Sequence, residues 1–318
     1  MDIQQAKLAV IAAGKRLVDC GLIARTWGNV SARVSDTQFV ITPSGKAYDG
    51  LTPDDIVLVN IQDMTYEGDV KPSSEKAVHA KAYQLRPEVG FVIHTHQYYA
   101  SIVSAMGQTV EVDAQWRDVL GDTVPMAAYG LPGTSKLTNG VTDALAGSPQ
   151  AKAVILKHHG TICVGRDEED TFNVADILEQ QCKAFLQAHG VEGLPAQESP
   201  SVATEQDDGA VVIHSKAPAI LQVSQTGDNV LPYLDDFAQI AGVKLTTKLG
   251  RRSAMLLPGE GALCYGSSLD EAQAVETVVE KNCAVALAAG KFSNVKPLGW
   301  LDSTLMRVIY VQKYSKKK

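Results

Sequence analysis

Two histidines one residue apart close an apolar run, Val92-Ile93-His94-Thr95-His96. Alternate residues of a strand share one face, so both imidazoles point the same way. A second histidine run, Leu156-Lys157-His158-His159-Gly160, closes another apolar stretch, and its glycine lets backbone approach closely. Three imidazole nitrogens and one carboxylate suit a borderline divalent cation: Zn2+ first, with Mn2+ or Co2+ as alternatives. The carboxylate in this reading is Glu75, in Lys71-Pro72-Ser73-Ser74-Glu75, at the start of a helix running towards the His94 strand. Taken singly, these residues have plainer readings. An HxH pair also occurs as a buried, hydrogen-bonded pair. An acid in the first helical turn is favoured by the macrodipole, with Ser73 or Ser74 as an ordinary N-cap. His79, His158, His189 and His214 are read as structural, His158 pointing opposite to His159 on the same strand.

Asn29, Ser44-Gly45 and Ser73-Ser74 add an amide, hydroxyls and backbone N–H groups near one helix start. Oriented donors of that kind form an anion-binding concavity that can cradle a phosphate. Each segment alone is an ordinary turn. Lys46 adds charge beside the second of them.

The elements that must position these groups follow from periodicity and turn residues. A helix is predicted over 3–20, and short strands over 29–34, 38–42 and 55–59. A helix over 74–85, a strand over 91–94, a helix after His96, a strand over 153–157 and a helix over 167–189 complete the set. The last helix carries Phe172, Ala175, Leu178, Cys182 and Phe185 at helical spacing, a core stripe. This mixture predicts an α/β layered domain, a central β-sheet flanked by helices. Between Val191 and Gly209 the periodicity stops, and Pro195, Ser199, Pro200, Ser201, Glu205, Asp207 and Asp208 give linker chemistry. The predicted domains are 1–192, which carries the metal ligands, a linker over 193–209, and 210–318.

The last domain reads as a smaller, degenerate α/β repeat of the second half of the first. Residues 254–289 align without a gap on 153–188, at an offset of 101, pairing Gly160 with Gly261, Cys163 with Cys264 and Glu179 with Glu280. Upstream, Val211-Val212-Ile213-His214-Ser215-Lys216 matches Phe91 to His96 at an offset of 120. His94 persists as His214, but His96 becomes Lys216 and His159 becomes Glu260. Lysine carries a proton at neutral pH and is a poor ligand, so the second domain is expected to bind no metal. A buried Lys216–Glu260 pair is expected at the vacated position.

The ordered motifs Gly28-Asn29-Val30-Ser31, Ile41-Thr42-Pro43-Ser44-Gly45, Pro72-Ser73-Ser74-Glu75, His94-Thr95-His96, Gly130-Leu131-Pro132-Gly133-Thr134 and His158-His159-Gly160 resemble the class II aldolase/adducin family. The resemblance covers roughly residues 1–190. It implies metal ligation by Glu75, His94, His96 and His159, with Glu75 doubling as the proton-transfer group. It implies phosphate or substrate binding by Asn29, Ser44, Gly45, Ser73 and Ser74. The implied activity is a zinc-dependent aldolase, a lyase of carbohydrate metabolism acting on a sugar phosphate through an enediolate, in a homo-oligomer. Decarboxylases of oxo-acid phosphates need the same chemistry; the family's 4-epimerases typically carry aspartate where this chain has Glu75. Adducin-like members are binding modules that lack the ligand set. Some aldolases place a partner tyrosine near the positions occupied here by Asp113, Gln115 and Trp116, so the resemblance assigns no proton donor. A Schiff-base aldolase would instead use Lys157 or Lys46.

Composition narrows the partners. A formal charge of −7 argues against nucleic acid, whose binding is largely cationic in origin, and the Lys316-Lys317-Lys318 tail is too short to reverse that. No membrane partner is expected, since no apolar run approaches the ~20 residues a span needs. Asp2, Lys7, Lys15 and Arg16 interrupt the N-terminal stretch, so no signal peptide is expected. Five cysteines without CxxC spacing suggest neither a disulfide framework nor a thiolate site. The expected location is cytoplasmic.

Overall fold

The computed structural model describes residues 1–194, 201–206, 209–250, 252–293 and 295–313. The linker positions Pro195, Ser199, Pro200, Asp207 and Asp208, and the Lys316-Lys317-Lys318 tail, lie outside the described residues. The chain forms two compact units, Met1–Ala100 with Gly107–Phe185, and Ser101–Met106 with Leu186–Lys318.

The first unit is a layered α/β domain. Its elements are α1 (Ile3–Asp19), β1 (Asn29–Arg33), β2 (Gln38–Ile41), β3 (Val57–Asn60), α2 (Lys76–Leu85), β4 (Phe91–Thr95), the start of α3 (Tyr98–Met106), β5 (Val110–Glu111), α4 (Arg117–Leu120), β6 (Thr123–Val124), β7 (Met126–Ala127), α5 (Ser135–Gly147), β8 (Ala153–Leu156), β9 (Thr161–Gly165) and most of α6 (Glu168–Ala188). Seven strands form one sheet in the order β3-β2-β1-β4-β9-β8-β7. Every neighbouring pair is antiparallel except β7–β8. β4 is central and buried throughout, which is why Phe91 to Ile93 reads as a continuous apolar run.

On one face of the sheet, Val78, Ala82 and Tyr83 of α2 and Leu137, Val141 and Leu145 of α5 pack with Val92, Val154, Ile162 and Val164. Each large apolar side chain buried there contributes about 2 kcal/mol. His94 follows Val92 on that same face of β4.

Two details beside the histidines and Glu75 differ from expectation. The predicted strand over 153–157 stops at Leu156, and residues 157–160 form a turn into β9, a strand the sequence reading lacks. Leu156 N donates to Gly160 O at 2.8 Å and His159 N to Leu156 O at 3.0 Å. His158 has φ +63°, so His158 and His159 belong to a turn and not to a strand. Gly160 is required there, because a Cβ would run into the Thr95 carbonyl oxygen. Helix α2 begins at Lys76 with Glu75 as N-cap residue, and its side chain makes no cap hydrogen bond. A turn precedes the helix instead: Glu75 N donates to Ser73 Oγ at 3.2 Å and Lys76 N to Ser73 O at 3.2 Å.

The second unit contains β10 (Ala203–Glu205), β11 (Val211–Ser215), α7 (Pro218–Ser224), α8 (Asp235–Ile240), β12 (Ala254–Leu257), β13 (Gly261–Gly266), α9 (Leu269–Ala289) and α10 (Trp300–Lys313). Its antiparallel sheet runs β10-β11-β13-β12. The registers keep both sequence offsets. Ile93 and Ala153 each pair with Cys163, as Ile213 and Ala254 each pair with Cys264. Glu179 accepts from Tyr99 N at 2.6 Å and Ala100 N at 2.9 Å; Glu280 accepts from Ala219 N and Ile220 N at 3.0 Å each. The expected buried Lys216–Glu260 pair does not form, because both residues are exposed. His214 Nε2 donates instead to the backbone oxygen of Glu260 at 2.9 Å.

Candidate metal centre

Three elements deliver the histidines to one point. His94 comes from β4, His96 from the residue just past its end, and His159 from the β8–β9 turn. Their ligand atoms lie within 4.8 Å of one another. His94 Nε2 and His96 Nε2 are 3.0 Å apart. The His94 and His159 rings stack at 4.7 Å and 11°, and His96 meets both edge-on. Glu75 reaches in from the start of α2, with Oε2 3.3 Å from His94 Nε2 and Oε1 3.1 Å from His159 Nε2. All four are buried, none above 7% exposed.

The donor set fits a divalent cation. His94 Nδ1 donates to the Thr161 carbonyl at 2.9 Å, which fixes the tautomer and turns the Nε2 lone pair to the cluster. Two imidazole nitrogens at 3.0 Å require a proton or a cation between them. Three nitrogens and one carboxylate oxygen are borderline ligands of the kind zinc takes. Burial pushes the Glu75 carboxyl up, but His94, His159 and the donors His159 and Asn29 outweigh it and hold it well below the ordinary carboxylate range. Burial holds His94 below the ordinary imidazole value against the opposing pull of Glu75. These directions favour an ionised Glu75 and a His94 imidazole that gives up its proton readily, the states a metal ligand needs.

The remaining polar segments are knitted around this cluster. Asn29 pairs with His94 across β1 and β4, and its Nδ2 donates to Glu75 Oε2 at 2.9 Å. Thr42 Oγ1 accepts from Val30 N at 3.2 Å, Ser73 N donates to Thr42 O at 3.0 Å, and Ser44 N donates to Lys71 O at 2.9 Å. Ser44 and Gly45 thus run beside Ser73 and Ser74. Ser73 is buried and Ser74 exposed. The Gly130 to Thr134 loop also reaches this place, since a Cβ on Gly133 would lie 3.3 Å from Ser74 Cβ. Lys46 is engaged elsewhere: its ammonium pairs with Asp55, whose carboxyl that contact holds down at about 2.

One partner escaped the sequence reading. His79 is fully buried and bonds the Asn29 amide that touches Glu75. Burial pushes its imidazole down to about 3, so it is neutral. The signal was present in the spacing of Glu75, His79 and Tyr83, four apart on one helix face.

Among known proteins, the model for the Class II Aldolase and Adducin N-terminal domain matches residues 8–186, more than half of the chain. A 5-deoxy-D-ribulose 1-phosphate aldolase of Bacillus thuringiensis serovar kurstaki is 30% identical over 192 residues, 60% of this chain and 89% of that protein. An L-ribulose-5-phosphate 4-epimerase of Salmonella paratyphi C is 31% identical over 204 residues, 59% of this chain and 87% of that one. Among solved structures, an L-fuculose 1-phosphate aldolase matches with a TM-score of 0.55 at 29% identity, over 59% of this chain and 88% of that one.

Proposed function

The chain belongs to the class II aldolase and adducin family, and from that premise we propose that it is a divalent-metal-dependent lyase. The reaction makes or breaks a carbon–carbon bond next to a carbonyl in a phosphorylated, sugar-like substrate. Glu75 carries the reading: one ionised carboxylate lies within 3.3 Å of two histidine nitrogens, buried at the start of a helix. His94, His96 and His159, with Glu75, would hold the ion, zinc first and Mn2+ or Co2+ as alternatives. Such an ion supplies Lewis acidity that stabilises negative charge on the substrate oxygen beside the reacting carbon. In the bond-making direction Glu75 would take the proton from the carbon next to the carbonyl at a carboxylate oxygen, the C–H bond breaking and its electron pair passing to the carbonyl oxygen; in the reverse direction it would return that proton to the same carbon. Asn29 orients that carboxylate through Nδ2.

Asn29, Ser44, Gly45, Ser73 and Ser74 are proposed to bind the substrate and its phosphate. The hydrogen bonds that bring their loops together support this, as do the sugar phosphates named for both curated relatives. Aldolase ranks first, oxo-acid phosphate decarboxylase second and 4-epimerase third, because Glu75 stands where the family's 4-epimerases typically carry aspartate. A binding module without chemistry ranks below these, since the ligand set is retained. The engagement of Lys46 by Asp55 weighs against a Schiff base on that lysine.

The same proposal assigns 1–192 to the metal domain, 193–209 to a linker and 210–318 to a reduced copy, which the shared registers support. It includes a homo-oligomer: α10 leaves Trp300 70%, Leu301 74% and Leu305 47% exposed, apolar area that association would cover. It places the protein in the cytoplasm, consistent with five free cysteines. No described helix is long and apolar enough to cross a membrane.

The test is a panel of ketose phosphates and oxo-acid phosphates assayed with zinc-loaded protein and with Glu75→Gln. Cleavage of a ketose phosphate is expected, lost on chelation and reduced at least ~10²-fold in the variant. Equal turnover by the variant would reject the role of Glu75, and no turnover of any substrate would reject the lyase.

A further inference from the structure

A polar strip joins α2 to β1 behind the metal cluster. Glu75, His79 and Tyr83 follow one another at i, i+4 and i+8 on one side of α2. Asn29 and Ser31 alternate on β1, opposite His94 and Val92 of β4, and so share the face that α2 covers. All five are buried.

The hydrogen positions follow from the chemistry of the atoms that meet. Asn29 Oδ1 can only accept, so His79 Nε2 carries the hydrogen and donates to it. The neutral ring then accepts at Nδ1, where the Ser31 hydroxyl donates at 2.7 Å. Ser31 Oγ, its own hydrogen spent, accepts from Tyr83 OH at 2.8 Å. With its oxygen held by His79, Asn29 presents Nδ2 to Glu75 Oε2 at 2.9 Å. A reversed amide would set its oxygen against the Glu75 carboxylate, an unfavourable contact in a buried place whichever tautomer His79 adopts.

We propose that His79 is a positioning residue: braced by Ser31 and Tyr83 as the Nε2–H imidazole, it locks the Asn29 amide so that Glu75 is held where His94 and His159 can share a cation with it. The inference rests on reading that cluster as a metal centre. It assigns His79 no contact with substrate or metal; its effect passes entirely through Asn29. A histidine that merely filled the core would be replaceable by any side chain of its volume.

The experiment measures Zn2+ affinity by competition with a chelating dye, without substrate, on the full chain. His79→Leu keeps the volume and removes both hydrogen bonds; it should weaken Zn2+ binding by about tenfold, the size usual for an outer partner of a ligand. His79→Gln restores a donor at the Nε2 position and should recover most of that loss. In an Asn29→Ala background His79→Leu should change affinity no further, because the path is already cut. Tyr83→Phe, which costs one hydroxyl and little volume, should weaken binding in the same direction and stands in where His79→Leu fails to fold. Affinity unchanged by His79→Leu or by its stand-in overturns the inference. So does an equal loss in the Asn29→Ala background, failure of His79→Gln to rescue, or a wild type that binds no Zn2+. Absence of lyase turnover in a wild type that binds Zn2+ would reject the proposed reaction and leave the affinity comparison in force.

Discussion

The histidines divide the two units. His79, His94, His96, His158 and His159 are all buried in the first, whereas His189 and His214 of the second are exposed. Yet the frame beneath them is shared: β4, β9 and β8 pair in the registers of β11, β13 and β12. His94 faces Ile162 as His214 faces Leu263. What differs is the cover. β8 is buried along its length, while β12 alternates buried and half-buried residues, since the second unit has no counterpart of α2 or α5 among its described residues. The three-stranded frame alone therefore carries the histidines but not their partners: Glu75 and His79 come with α2, and Asn29 with the start of β1.

The sharpest test of that contrast is metal content. His96→Ala should lose essentially all bound Zn2+ and His214→Ala none, read by elemental analysis of purified protein; equal content in both would place the ion elsewhere. The next largest effect belongs to the second unit. Lys281 Nζ meets Asp236 Oδ2 at 2.7 Å, both side chains 3% exposed, so Lys281→Met strands a buried charge and should cost about 3–5 kcal/mol in denaturant unfolding. Gln180, its equivalent on α6, is exposed, and Gln180→Met should stay within about 0.5 kcal/mol.

Acid tests the cover that α2 provides in the first unit. The folded value for His79 is about 3 against an ordinary 6.5. Between those values the unfolded chain binds the extra proton, so stability falls as pH drops through that window. At pH 4 the loss from this group is about 3 kcal/mol relative to pH 7. Unfolding of His79→Leu should be correspondingly less pH-dependent. The smallest effect is expected at the pair thought to replace the metal: with Lys216 and Glu260 exposed, Lys216→Met and Glu260→Leu should each change stability by less than about 0.5 kcal/mol.

Periodicity made α6 legible within a residue at each end, because Phe172, Ala175, Leu178 and Cys182 must all reach one core. The HxH pair was legible for the same reason, as strand alternation fixes which way His94 points. β9 was not: the turn at 157–160 lacks the usual Asn-Gly or Pro signal, and His158 takes the left-handed conformation itself. α5 carries Thr138, Asn139, Gly140 and Thr142 within two turns, which hides a helix that tertiary packing of Leu137, Val141 and Leu145 imposes. In the site, residue types pointed to Glu75 and the histidines, but His79 was read alone. Its partners lie 48 and 50 residues away on β1, and only the sheet register discloses that α2 and β1 share a polar strip.

Those separations govern when the site comes into being. Asn29 and Glu75 are 46 residues apart, His94 and Thr161 67, and Glu75 and His159 84. Loop closure over such distances costs entropy before any contact repays it, so antiparallel sheets of this connectivity form slowly. No nascent helix or single hairpin can present the constellation ahead of time. During synthesis His159, the last of the four residues proposed to hold the ion, emerges well after the other three, so the constellation can close only once β8 and the turn behind it have joined the sheet, late in the assembly of the first unit.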